Sequence, residues 1–229
     1  MTSAVTSLVV FDLDGTLVDS RHDIALAANL TLESLGLARL PADTVVGFVG
    51  GGVKNLATRC LRAATPAHEA PPPPDAFVER FMPIYSEHLL DCTLPYPGVA
   101  ETLGALRDAG VETAVVTNKP AAPARTIVDG LALGPFAILI GGDSMPVRKP
   151  DPEPLRKALE HVGAATHESL YVGDMAVDVE TANAAGVRFV GVTWGIGKRA
   201  DMETAGARDF VDHMHELLAW SGLGPEGPR

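Results

Sequence analysis

The chain has 229 residues and a formal net charge of −11, from 29 acidic against 18 basic side chains. That length holds one large domain or two small ones with ample core. The acidity excludes the broad basic face that nucleic-acid binding needs, although a metal ion and one or two well-placed cations can still draw a small anion into a cleft. No apolar run reaches the length of a membrane span. The opening MTSAVTS sets no basic segment before its apolar run, as a signal peptide would. Cys60 and Cys92 are too far apart in sequence to suggest a disulfide framework or a zinc site. The expected setting is the reducing cytoplasm.

In chain order, residues 5–10 read as a buried stem, and LVVF at 8–11 reads as a strand. It runs directly into DLDGT, where Asp12 and Asp14 stand two positions apart. Close carboxylates repel, and in a cleft each resists ionising beside the other. Residues 18–94 then carry helical patterns at 23–35, 53–63 and 75–90, with no convincing strand. Four prolines at 71–74 join the second of these helices to the third. PYPGV at 95–99 marks the return to a different rhythm. Strands at 113–116, 137–140, 170–172 and 187–192 alternate there with helices at 99–109, 120–131, 152–162 and 175–185. Such alternation predicts an α/β fold: a Rossmann-like parallel sheet with helices on both faces, over residues 1–17 and 95–229. Residues 18–94 form an α-helical cap inserted after the first strand. An insert at that point sits over the carboxyl ends of the strands, where open α/β sheets bind ligands.

Those strand ends hold the reactive side chains. Asp12 and Asp14 follow the first strand, and Thr117 and Asn118 follow 113–116. Lys149 lies in the loop GGDSMPVRKP after 137–140, and GDMAVD after 170–172 supplies Asp174 and Asp178. In a parallel sheet all of these lie on one edge. So many carboxylates are tolerated together when a hard divalent cation sits among them. Mg²⁺ prefers oxygen ligands, takes only a few from protein and leaves places for water and phosphate. Lys149 would neutralise phosphate charge, and the Thr117 hydroxyl would donate to it. This is the machinery of phosphoryl transfer, in which positioning and charge compensation supply most of the catalysis. Asp12 attacks in this reading, and Asp14 handles the proton.

In order along the chain, DLDGT, Thr117-Asn118, Lys149 with KPDPEP, and GDMAVD resemble the four motifs of the haloacid dehalogenase superfamily. The likeness runs from residue 8 to about residue 197. Within the superfamily, TNKP, GGDS, KPDPEP, VTWGIG and YSEHLLDCTLPYPG are most similar to the phosphoglycolate phosphatases. The resemblance implies a Mg²⁺-dependent phosphatase that passes through an aspartyl-phosphate and converts 2-phosphoglycolate to glycolate and phosphate. Asp12 would be the nucleophile and Asp14 the general acid, then base, while Thr117 and Lys149 hold the phosphoryl group. The metal would be held by Asp12, the backbone carbonyl of Asp14, and Asp174, with Asp178 ligating or orienting. The dehalogenase branch carries no acid at the Asp14 position, because a halide leaves without a proton; Asp14 therefore favours ester hydrolysis. Asn118 is a substrate-binding candidate. For the substrate's own carboxylate, the cap offers Lys54, Arg21 and the glycines 50–52, Gly51 among them. Met175 stands where family members often carry a small hydroxyl residue.

Each residue also has an ordinary reading. Asp-Gly is a common turn pair, and Lys54 and Arg21 suit a solvated helix face. Asp174 could cap the helix that begins near 175, a role compatible with holding metal. Asp178, one helical turn later, could point to solvent. Asp151 as N-cap and Pro152 at the first helical position would fix the loop that carries Lys149. GFVGGG at 47–52 lacks dinucleotide spacing and is expected as a cap loop; His213 and His215 are expected at the surface. The expected partner is a small phosphorylated substrate, with no nucleic acid or membrane, for a monomer or homodimer. The rivals are another small-molecule phosphatase (a pyrophosphatase or sugar phosphatase), a β-phosphoglucomutase-like phosphotransferase, and a receiver-like phospho-acceptor module.

Overall fold

The side chains of Leu8, Val9, Val10 and Phe11 alternate between two apolar layers, so β1 (Leu8–Phe11) lies inside a sheet covered on both faces. The structure, a computed structural model, describes residues 6–223, which leaves Val5 of the sequence-expected stem outside them. The first part of the chain adds β2 (Val18–Asp19), α1 (Arg21–Ser34), α2 (Ala42–Val46), α3 (Val53–Ala64), α4 (Pro74–Glu87) and β3 (Leu94–Pro95). Then follow α5 (Val99–Asp108), β4 (Glu112–Val116), α6 (Ala121–Gly130), β5 (Ile138–Ile140), α7 (Glu153–Val162), β6 (Ser169–Gly173), α8 (Ala176–Ala185) and β7 (Arg188–Val192). The last elements are α9 (Arg199–Thr204), β8 (Phe210–Val211) and α10 (Leu217–Trp220).

Six strands form one sheet in the order β5-β4-β1-β6-β7-β8, and every pairing in it is parallel. One apolar layer packs Val9, Phe11, Val115 and Val172 against α5 and α6; the other packs Leu8, Val10, Val116 and Tyr171 against α7 and α8. Phe11 is in register with Val115 on one side and Val172 on the other. Continuing that register sets Asp12 level with Val116 and Gly173. Asp12, Thr117 and Asp174 thus leave the sheet within a residue of one another. This alignment builds the site.

The helical insert starts and stops at a small antiparallel ribbon, in which Val18 pairs with Pro95 and Asp19 with Leu94. The buried Asp23, in the first turn of α1, ties the two ends together. Its carboxylate accepts from the Cys92 and Thr93 amides and from the Thr93 hydroxyl at 2.6 Å. Phe77, Phe81 and Tyr85, one helical turn apart on α4, stack in series at centroid distances of 5.6 and 5.1 Å. That spacing puts all three on one buried face of the helix.

The structure departs from the sequence reading in small elements. β2, α2, β3, α9, β8 and α10 go unread because two to six residues carry too little periodicity to register. Helix α7 begins at Glu153, so Pro152 is its N-cap; Asp151 still accepts from the Glu153 amide at 2.9 Å. His213 and His215 are exposed and stack on one another. Among the described residues no helix is long and apolar enough to cross a membrane.

Candidate active site

Asp12, Asp174 and Asp178 are all buried, and each offers a carboxylate oxygen within 4.8 Å of the other two. Lys149 enters this group from the β5–α7 loop. Its ammonium donates to Asp178 Oδ1 at 2.6 Å and lies 3.0 Å from Asp12 Oδ1. One ammonium against three carboxylates leaves an excess of negative charge. Burial pushes Asp12 up to about 6, with the Lys149 attraction opposing it and the Asp178 charge adding to it. Burial, then the charges of Asp178 and Asp12, push Asp174 up to about 7. Burial disfavours the charge on Lys149, but Asp12 and Asp178 together outweigh it and hold the ammonium above its ordinary range.

The three carboxylates are held differently. Asp178 is fully engaged: Oδ1 accepts from Lys149 and from the Tyr171 hydroxyl at 3.1 Å, and Oδ2 accepts from the Met175 amide at 3.0 Å. Asp174 accepts from the Thr16 hydroxyl and from the amides of Ile196 and Gly197 at 2.7 and 3.1 Å. Asp12 Oδ1 is buried without a well-aligned hydrogen bond despite the nearby ammonium. An orphaned acceptor beside two further oxygens is a donor set suited to a hard divalent cation. The fit to Mg²⁺ rests on that chemistry.

The tight loop after β1 makes the packing possible. Gly15 adopts φ +88, and a Cβ there would stand 2.3 Å from Asp174 Oδ2. Thr117 is buried at the end of β4, where its hydroxyl oxygen accepts from the Lys119 amide at 3.3 Å. Its own proton is thus left to donate. Asn118 Nδ2 donates to the carbonyls of Gly50 and Lys149 at 2.9 and 3.1 Å, which ties the glycine loop of the insert to the loop that holds Lys149.

Asp14 stands apart from the carboxylate group. Its two oxygens lie 2.8 and 3.0 Å from Lys119 Nζ, and Oδ1 also accepts from the Ser20 hydroxyl at 2.5 Å. The sequence reading sets carboxylate repulsion between Asp12 and Asp14 as well as among Asp12, Asp174 and Asp178; the structure gathers the latter three and pairs Asp14 with Lys119. Lys119 also donates to the hydroxyl of Tyr85 on α4. Neither Lys119 nor Tyr85 is a sequence-expected site residue. The signal for Lys119 is its place in TNKP, directly after Thr117 and Asn118. Tyr85 carries no signal beyond an aromatic helix face.

A cavity opens over this edge. Asp12, Asp14, Thr117, Asn118 and Lys119 form its floor, and Ile24, Val49, Val53, Leu56 and Phe81 form an apolar wall from the insert. Met175 lines it too. A Cβ on Gly50 would stand 2.5 Å from the Met175 sulfur, so a glycine at Gly50 lets the loop lie against the thioether.

Five expectations are corrected here. Lys54 does not line this cavity; it is exposed and pairs with Asp75 at 2.8 Å, as a long cationic side chain on a solvated helix face does. Arg21 is held by Asp19 at 2.6 Å and also lies outside the lining. Gly51 lines a neighbouring cavity with Asn55, Arg59 and Lys198, while Gly50 and Gly52 line this one. Asp174 does not cap α8, because the 196–197 amides occupy it; the end of that helix is tied by Asp178 through the Met175 amide. Asp178 is accordingly buried, not solvated.

Residues 9–192 match the haloacid dehalogenase-like hydrolase family, and the chain belongs to it. Among curated relatives, the phosphoglycolate phosphatase of Rhodospirillum rubrum is 39% identical over 225 residues, covering 96% of this chain and 92% of that protein. The phosphoglycolate phosphatase of Pseudomonas putida is 38% identical over 216 residues, covering 92% and 78%. A crystal structure described as a predicted phosphoglycolate phosphatase, from Haemophilus somnus, superposes with a TM-score of 0.88 at 32% identity, covering 94% and 97%. This chain is a hydrolase of the haloacid dehalogenase-like family, and the two curated relatives above are phosphoglycolate phosphatases.

Proposed function

We propose that this chain hydrolyses a small phosphorylated organic acid, 2-phosphoglycolate first among the candidates, to the hydroxy acid and inorganic phosphate. The single observation that carries the reading is the convergence of Asp12, Asp174, Asp178 and Lys149 at one sheet edge. The substrate comes from the relatives' names; the reaction type comes from the side chains. In the first step an Asp12 oxygen attacks phosphorus, and the P–O bond to the substrate breaks. The leaving oxygen takes its proton from Asp14. In the second step Asp14 takes a proton from water, whose oxygen attacks the same phosphorus and releases phosphate and Asp12. Lys149 holds charge beside Asp12, and the Thr117 hydroxyl donates to a phosphoryl oxygen.

Mg²⁺ would be held by Asp12, the Asp14 backbone carbonyl and Asp174, and it would supply charge compensation for the phosphoryl oxygens. Asp178, whose Oδ1 is ion-paired to the Lys149 ammonium and whose Oδ2 accepts from the Met175 amide, orients Lys149 and the start of α8. We further propose the division into a core over 1–17 and 95–229 and a cap over 18–94, with the β2–β3 ribbon as the joint. Closing such a cap over a bound substrate excludes water from the acyl-phosphate bond.

A screen of small phosphorylated acids, sugar phosphates and pyrophosphate with Mg²⁺, run beside Asp12→Asn, tests the proposal. Hydrolysis of 2-phosphoglycolate above the others is expected, with the variant inactive on all. Isomerisation of a hexose 1-phosphate in preference to hydrolysis, or retained turnover in the variant, would overturn it.

A further inference from the structure

We infer that Lys119 and Tyr85 form the subsite for the carboxylate of a short phosphorylated acid, one from the core and one from the helical insert. The inference rests on the phosphatase reading and adds which residues select the substrate.

The cavity has two ends of different character. Its phosphoryl end is set by Asp12 and Thr117 with Lys149 behind them; its far end is walled by Ile24, Val49, Val53, Leu56 and Phe81. A carboxylate carried into an apolar chamber loses its hydration, a cost met only by a cation or by well-aimed donors. Among the described residues that line the cavity, Lys119 is the one cation. It is buried, and its ammonium has three protons. Three hydrogen bonds are in place, to the two Asp14 oxygens and to the Tyr85 hydroxyl, whose ring lies 4.7 Å from the ammonium, so an incoming carboxylate takes the place of the longer Asp14 contact at 3.0 Å. The Tyr85 oxygen accepts from Lys119, which leaves its own O–H to donate into the cavity it lines. Burial and the neighbouring Asp14 charge push that phenol up to about 12, so it stays a donor at working pH.

The pair thus presents an ammonium and a hydroxyl to one incoming anion, across the boundary between core and insert. Lys54, Arg21 and Gly51 lie outside the lining. The contact of Lys119 with Asp14 limits the ligand further. The carboxylate must bind one short step from the oxygen that Asp14 protonates, which suits a phosphate and a carboxylate separated by very few carbons.

The test uses binding, so that it stands apart from turnover. In the Asp12→Asn protein, Kd is measured by calorimetry with Mg²⁺ for 2-phosphoglycolate and for its carboxamide, which has the same shape without the charge. The measurement is repeated after adding Lys119→Gln or Tyr85→Phe, with thermal melts to verify folding. The acid is expected to bind roughly tenfold or more tighter than the amide, as loss of a charge-assisted contact implies. Lys119→Gln should abolish that preference, and Tyr85→Phe should narrow it. Equal binding of acid and amide before Lys119 is changed would overturn the assignment. So would an equal loss for both ligands in Lys119→Gln, which would make Lys119 a positioning residue for Asp14 alone. A preference that Lys119→Gln removes, in a protein whose unmutated form does not turn over the acid, would keep the subsite and defeat the catalytic reading.

Discussion

The sheet edge and the helical insert meet across one cavity but are built by opposite means. At the edge, Asp12, Thr117, Lys149, Asp174 and Asp178 are buried polar groups fixed by strand register and by amides and hydroxyls from distant loops. On the insert side, the wall is apolar, with the Tyr85 hydroxyl as its polar side-chain donor among the described lining residues. Reaction chemistry therefore resides in the strand-end framework, and selection resides where the insert surface meets that edge, at Tyr85 and Lys119. Changes at the edge should remove turnover, whereas changes in the insert should shift stability and substrate preference.

The largest effect below loss of the nucleophile is expected for Lys149→Met. Removing a charge aimed at the reacting phosphoryl group costs about 10²- to 10³-fold in kcat. It also leaves Asp12 and Asp178 without their shared cation. Steady-state kinetics beside a thermal melt reads both effects; a variant with unaltered kcat would break the assignment of chemistry to the edge.

Phe81→Ala should do the reverse. Phe81 is buried between Phe77 and Tyr85, and truncation of such a ring costs about 3–5 kcal/mol of stability. Denaturant melts should show that loss, while an activated aryl phosphate, which needs little from the insert, is still hydrolysed. Loss of aryl-phosphate turnover in a folded Phe81→Ala protein would show that the two regions are not separable.

A pH series sharpens the same contrast. Asp12 and Asp174 are raised to about 6 and about 7 from 3.8, chiefly by burial. A carboxyl whose folded pKa is raised contributes stability that is complete below the unfolded value and lost as pH climbs through the folded one. The ion-free protein should therefore lose stability from these two groups between about pH 4 and pH 7. Mg²⁺ should restore more at pH 8 than at pH 5, because it competes with protons for the same oxygens. Asp174→Asn should lose much of the dependence; an unchanged profile in that variant would contradict the cluster's role. The smallest effect belongs to Lys54→Ala. Its exposed pair with Asp75 is worth under about 1 kcal/mol, so melting point and kinetics should barely move.

The sequence carries the edge better than the insert, for physical reasons. Each strand end pairs an apolar run with the polar residue that follows, so Asp12, Thr117 and Asp174 are visible locally, and parallel topology brings them together. Lys119 is also visible in TNKP, but its partners Asp14 and Tyr85 lie 105 and 34 residues away, and only the fold joins them. Tyr85 reads as core because an aromatic every fourth residue is the mark of a buried helix face. Lys54 misleads in the opposite way: a cation near a glycine loop suggests anion binding, but its position on α3 turns it to solvent. Asp174 has a helix directly after it, and only the return of residues 196–197 shows that its Oδ2 accepts from their amides and not from the start of that helix.

The central claim is that a side-chain carboxylate at the end of β1 carries the phosphoryl group between substrate and water. Rapid acid quench of the Mg²⁺-loaded enzyme during turnover, followed by peptide mass spectrometry, tests it directly. The account predicts one phosphorylated carboxylate, at Asp12, which disappears when Asp12 is replaced by Asn. Phosphate release with no phosphoenzyme at any quench time, or a phosphoryl group found on another residue, would contradict it.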